Sequence, residues 1–487
     1  MLGAAWEVRN TSGGAPARRL ACDEFRIMLK KRYLTIRLAR PCQAPAAPSI
    51  FAILVPHRRS RTSGQPIMIG LILSLLNLFF FFFPPIEVAP ALAPYRLQFI
   101  ILFPGVAISL VAMSMRPFDI QKPQVWLMIG LWFSVCMSLL SKLQLRATLY
   151  SFVDFIVVVS MFIMIAANVN SARRIRVVCG TLALFALTLA IMGICAYHFQ
   201  YLGDKLVWTH LAEGPVLVTR IMSFGTLNDP NDFAQFLLVG IAMIGVFWRK
   251  GRTPANLILL GPPALILIYA IYLTGSRGAM FGIAMIVFVV LSRRIGPIQS
   301  VALSATMVLV LIAGHFGGGR SISMQEERIT AWGTGISLLK THPLFGAGFN
   351  HFTEKSDITA HNSFVLCFAE LGFVGYFFWL GLIIVTVMYF QRMLKIPDEN
   401  EEDAKAARLV QPLRAAVFSY LVTAWFLSRT YSPVLYVLIA LAGALVEVRR
   451  KSNPQFASMP LRWVPKTVAL QFASVALVYL TIRVRAF

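Results

Sequence analysis

The feature that most constrains this chain is a series of apolar runs, each near the length that crosses roughly 30 Å of hydrocarbon. They lie near 67–83, 97–115, 124–140, 149–167, 177–197, 233–248, 255–273, 278–291, 298–314, 363–390, 415–428, 433–447 and 467–482. In lipid every backbone amide and carbonyl must be bonded within the protein, so only helices or a closed barrel can span. Continuous rather than alternating apolarity excludes the barrel. The expected fold is all-α, a polytopic transmembrane helical bundle of about 12–13 spans. Hydrophobic residues at 57% and charged ones at 14% agree, since soluble domains carry roughly a quarter charged residues.

The formal charge of +24 raises the question of a nucleic-acid partner. Its distribution answers that question. With the N-terminus placed inside and the spans alternating, 32 of the 45 Lys and Arg residues fall on inner segments and 13 on outer ones. This is the positive-inside bias of a multi-pass membrane protein, and no nucleic acid is implied. Six scattered cysteines without a Cys-x-x-Cys pair suggest neither a disulfide framework nor a zinc site.

Three regions follow. Residues 1–66 are basic, rich in Ala and Pro, and without sustained periodicity, so they are expected to lack packed structure. Met68 offers an alternative start of translation. Residues 67–447 hold the spans, with long outer loops at 198–232 and 315–362. Residues 448–487 form a basic C-terminal segment with one further apolar run.

Outer cations run against the topological bias and need a reason. Arg277 stands in a tight turn, Thr274-Gly275-Ser276-Arg277-Gly278. Ser276 is placed to cap the next helix, and the free amides there with a guanidinium fork would bind an anion. Gly278 lets the backbone approach a ligand. Arg220 is a second anion candidate. Asp229 and Asp232, beside Asn228, Pro230 and Asn231, read as turn and capping chemistry. Ile329, Trp332, Ile336 and Leu339 form an apolar helical stripe suited to packing or to the bilayer interface. His361, with Asn362 at the mouth of a span, has the chemistry of a base near neutral pH. Asp154 and Glu370 lie within apolar runs, where a carboxylate needs a cavity, a partner or a proton. For Glu370 an inward-facing arginine is one expected partner.

Taken in order, these stretches resemble the O-antigen ligase and O-antigen polymerase family of bacterial envelope membrane proteins. The matching residues are Arg220 with Asn228 to Ala234, the Ser276-Arg277-Gly278 turn, Arg328 with Ala331-Trp332, His342 to Gly348, and His361-Asn362 leading to Glu370-Leu371-Gly372. The resemblance covers about 200–390. It implies a fold similar to lipid-sugar-dependent membrane glycosyltransferases and a location in the bacterial inner membrane with a periplasmic active site. The implied reaction moves a glycan from undecaprenyl diphosphate to an acceptor glycan or lipid A core. Membrane lipid is a further partner. No cofactor or metal is implied, and inversion is expected. His361 would act as catalytic base, with Arg277, Arg220 and Arg328 on the diphosphate and Ser276, Gly278, Asn231, Asn362 and Glu370 in support. A transporter or flippase of lipid-linked or anionic solutes is the alternative, which the intramembrane carboxylates would suit. Ligase and polymerase share these motifs.

Overall fold

The computed structural model describes residues 22–29, 32–39, 65–88, 90–95, 97–114, 123–200, 202–211, 217–314, 323–456 and 462–485. The chain divides into two compact units, Met1–Arg61 and Thr62–Phe487. In the first, β1 (Cys22–Leu29) pairs antiparallel with β2 (Arg32–Ala39), from Cys22 opposite Ala39 to Leu29 opposite Arg32. A lone two-stranded ladder is marginal without a face to pack on. The expectation that 1–66 lacks packed structure otherwise lies outside the described residues.

Among the described residues the second unit is helical apart from one small hairpin. Its first part runs α1 (Gln65–Phe82), α2 (Pro85–Val88), α3 (Leu97–Ser114), α4 (Pro123–Leu140), α5 (Leu145–Asn168) and α6 (Ala172–Phe199). A short turn of helix α7 (Gly203–Leu206) leads into β3 (Val207–Leu211) and β4 (Leu217–Ile221). Then come α8 (Pro230–Ile244), α9 (Thr253–Thr274), α10 (Arg277–Leu291), α11 (Pro297–Ala313) and α12 (Ser323–Thr341). The last group is α13 (Ser363–Lys395), α14 (Glu401–Ala407), α15 (Val410–Ala424), α16 (Pro433–Ser452) and α17 (Trp463–Arg485). Every apolar run read from the sequence overlaps one of these helices, though 233–248 and 415–428 run past the ends of α8 and α15. Among the described residues eight helices are long and apolar enough to cross a membrane on their own, and α1, α10 and α11 are shorter apolar ones. The all-α membrane bundle is the observed architecture.

Loops gather at the two ends as alternation requires. At one end Lys205 donates from Nζ to the Glu87 carbonyl at 2.6 Å, and the Gly225 amide donates to Glu87 Oε1 at 2.8 Å. Lys142 reaches the Ala347 carbonyl, and Thr359 donates to Ser428 Oγ at 2.6 Å. At the other end Arg176 donates to the Lys405 carbonyl, Lys451 to that of Asn170 and Arg293 to that of Leu394. There a fully buried Arg449 binds Asp403 through Nε at 2.6 Å and Asp398 through Nη2 at 2.8 Å. A charge so buried persists only because carboxylates and a carbonyl absorb its donors.

The element that positions the outer end is α13, which is broken. Gly372 adopts φ 63°, ψ −166°, separating Ser363–Leu371 from the long helix after it. The segment Pro343–Gly348 docks on that break backbone to backbone. Ala347 and Gly348 donate to the carbonyls of Ala369 and Glu370 at 2.7 and 3.0 Å, while Phe373 and Val374 donate to those of Pro343 and Leu344 at 2.8 and 3.1 Å. A Cβ on Gly346 would stand 2.3 Å from the Glu370 carbonyl, and one on Gly372 2.4 Å from that of Leu344. Both glycines have positive φ, so they are demanded twice, by space and by conformation. The Ile329–Leu339 stripe packs inward: Ile336 and Leu339 are buried, and the Trp332 indole donates to the Ala360 carbonyl at 2.9 Å.

Candidate active site

The end that holds the Glu87, Lys142 and Thr359 contacts is organised around the start of α8. Asp229 is its N-cap, accepting from the amides of Asn231 at 2.7 Å and Asp232 at 3.3 Å, with Pro230 in the first turn. Capping was expected of Asp232, but it falls to Asp229, whose extended backbone precedes the helix as an N-cap must. Asp232 is instead buried and ion-paired with Arg429, on the loop between α15 and α16.

Arg220 enters from β4, where Trp208 stands opposite it on β3. Its guanidinium lies over the Trp208 ring at 5.7 Å, donates from Nε to the Thr274 carbonyl at 2.5 Å, and from Nη2 to Asn231 Oδ1 at 3.1 Å. Thr274 ends α9, and Gly275 turns the chain in the left-handed region at φ 58°. A Cβ there would press on Arg220 Nε at 3.3 Å. The turn thus seats Arg220 beside the start of α10, at Arg277. Ser276 occupies the N-cap position of that helix with its side chain buried, but makes no side-chain cap bond. Gly278 has ordinary room, with Phe426 Cβ 3.6 Å from where a Cβ would lie, so no close approach demands glycine there.

Asp229 is the electrostatic hub of the group. Burial pushes the guanidiniums of Arg220 and Arg328 below their ordinary range, and Asp229 pulls each back up. Arg429 is lowered by burial to about 10, again opposed by Asp229. Three guanidiniums, Arg220, Arg328 and Arg429, thus act with two carboxylates, Asp229 and Asp232, which leaves the group positive. A positive region of low dielectric is where an anion is held most strongly.

Ser363 and its neighbours join the histidine segment to the Arg429 loop. Ser363 Oγ donates to the Leu427 carbonyl at 2.6 Å and accepts from the Arg429 amide at 2.8 Å, and Thr430 Oγ1 donates to the Ser363 carbonyl at 2.7 Å. Asn362 caps α13, accepting from the amides of Phe364 and Val365. Its buried Nδ2 has no hydrogen-bond partner. Between Ala360 and Asn362, both buried, His361 is half-buried and holds φ 46°. Positive φ at a non-glycine residue marks a position over-determined by its surroundings.

A cavity of about 380 Å³ shares Arg429 with this layer and has Glu370 and Tyr431 among its other walls. Glu370 does not pair with an arginine, as its place in the sequence suggested it could. Its Oε1 accepts from the Phe352 amide at 3.1 Å and its Oε2 from the Tyr431 hydroxyl at 2.8 Å. Docking of 343–348 on the break in α13 is accompanied by the Phe352 amide contact to this carboxylate. Asp154 is exposed on α5 rather than facing the cavity.

Residues 262–380 match the family model described as O-antigen ligase. This chain carries an O-antigen ligase family domain. Within that domain fall Ser276, Arg277, Gly278, Arg328, His361, Asn362 and Glu370, together with the broken α13 and the loop docked on it. Arg220, Asn231, Asp229 and Arg429 lie outside the matched stretch; Arg220 reaches it through the Thr274 carbonyl and Arg429 through Ser363. Comparison with curated proteins finds no match. The family places the chain among the polytopic membrane proteins of envelope polysaccharide biosynthesis and supports a glycosyl-transferring enzyme.

Arg429 and Tyr431 were not singled out from the sequence. Arg429 carried one signal, a basic residue on the outer side where few occur. Tyr431 carried none, since a tyrosine at the mouth of a span is common at interfaces.

Proposed function

We propose that this protein transfers a glycan from undecaprenyl diphosphate to an acceptor hydroxyl, on a lipid A core or a growing glycan, at the periplasmic face of the inner membrane. The observation that carries the reading is the arginine cluster at the start of α8: Arg220 bonds Asn231 and the Thr274 carbonyl that leads to Arg277, Arg429 pairs with Asp232, and the Asp229 charge acts on Arg220, Arg328 and Arg429. A departing diphosphate needs fixed cations where its charge grows, and guanidinium forks meet phosphate oxygens in pairs. His361 takes the proton of the acceptor hydroxyl as its oxygen attacks the anomeric carbon. The carbon–oxygen bond to the diphosphate breaks, and its electron pair goes to the diphosphate oxygen facing the arginines. Attack opposite that leaving group inverts the anomeric centre. The arginines stand where other transferases use a metal ion. Asp229 and Asp232 are engaged by the α8 amides and by Arg429, which supports a metal-independent reaction.

The test is transfer per folded enzyme, with purified protein and a lipid-diphosphate glycan. His361→Ala should lose roughly 10²–10⁴-fold in turnover, the range of general-base catalysis, with donor binding nearly unchanged. Arg277→Lys keeps the charge but loses the fork, so a substantial rate loss is expected. Activity should survive EDTA. Near-wild-type turnover by His361→Ala removes the histidine from the mechanism, and EDTA inactivation reversed by Mg²⁺ moves the chemistry to the two aspartates.

A further inference from the structure

We propose that the cavity lined by Arg429 is a sugar subsite that reads the first sugar of the donor glycan through Glu370 and Tyr431. This rests on the donor reading above and adds where the sugar sits and what recognises it. At about 380 Å³ the cavity is of the size that takes a small ligand. Its walls combine hydroxyls, among them Thr353, Thr359 and Ser428, with the Tyr431 ring and one carboxylate. A sugar presents hydroxyl donors around an apolar ring, and this wall chemistry is the complement.

Glu370 is the discriminating group. It is 2% exposed, yet it borders the cavity. Its oxygens accept from the Phe352 amide and the Tyr431 hydroxyl, and the Asn350 backbone amide also bonds the carboxylate. A carboxylate has about four lone-pair sites, so capacity for one sugar hydroxyl remains. The protein bonds fix its plane, so the hydroxyl it accepts must come from a defined ring position. Arg429 identifies which sugar this is. It lines the same cavity and is paired with Asp232 within the arginine group. The sugar next to that group is the one bonded to the diphosphate.

Full-length protein in lipid nanodiscs tests this with four probes: farnesyl diphosphate alone, and farnesyl diphosphate bearing one glucose, galactose or N-acetylglucosamine. At least one sugar-bearing probe should bind about tenfold or more tighter than the bare diphosphate, as a charge-assisted hydrogen bond provides. Glu370→Gln keeps the shape and one acceptor oxygen for the Phe352 amide, but turns the Tyr431 contact into a donor from its NH2 and loses the charge, and should erase most of that margin. Thr353→Val, at the exposed rim, should reduce the margin without risk to folding, and covers the case of an unstable Glu370 variant. Equal binding of all four probes to the wild type, or a margin untouched by both variants, overturns the sugar subsite. Failure of every probe to bind overturns the lipid-diphosphate reading instead, and this proposal with it.

Discussion

At the residue scale, the ion pair between Arg429 and Asp232 decides how the outer site is held. Asp232 is 6% exposed and Arg429 27%, so neither charge is well solvated when its partner is removed. Asp232→Asn should lower stability by roughly 1–3 kcal/mol, the cost of leaving a buried polar group unsatisfied, read as a lower melting temperature in a fixed detergent. It should also disturb transfer, because Arg429 then turns to other acceptors. Unchanged melting and unchanged transfer would show that the pair is ornamental. Arg220 and Arg277 were legible from the sequence because a cation on the outer side of a membrane protein needs a reason. Arg429 met the same criterion but stood in a loop of four residues without a motif around it. Only contact with α8 makes its role visible.

At the element scale, the glycines of the Pro343–Gly348 loop and the α13 break are matters of backbone contact. Gly372→Ala would force a Cβ into the Leu344 carbonyl at positive φ. Strain of this kind costs about 1–3 kcal/mol before any clash is counted, so a clear loss of folded protein is expected. Gly333→Ala is the control: it lies within α12 with nothing within 4 Å of a new Cβ, and helix propensity favours alanine by up to about 1 kcal/mol. Melting both variants in the same detergent should move them in opposite directions. Equal behaviour would mean the docked loop does not constrain the bundle. The sequence shows Gly346, Gly348 and Gly372 as motif members but cannot say that two of them face each other across a backbone ladder. That pairing joins residues far apart in the chain, through hydrogen bonds that carry no side-chain signature.

At the scale of the whole molecule, the two sets of end contacts make a topological prediction. Lys355 stands with the outer group and Glu401 with the basic, Arg449-latched end. In a version without native cysteines, Lys355→Cys should react with an impermeant maleimide in intact spheroplasts, and Glu401→Cys only after permeabilisation. The reverse pattern would invert the orientation and place the proposed site on the wrong face for a periplasmic acceptor.

The sequence by itself determined the architecture. Spanning lipid leaves the backbone so few choices that apolar run length specifies a bundle of helices. It also named most of the outer candidates, because charge in a place hostile to charge is conspicuous. The partners of those charges were decided by tertiary structure alone. Which aspartate caps α8 and which pairs with Arg429, why Glu370 meets a tyrosine rather than an arginine, and where a cavity opens all depend on helices distant in sequence. A carboxylate's partner is whichever donor the packing delivers within about 3 Å, and packing is a property of the assembled bundle.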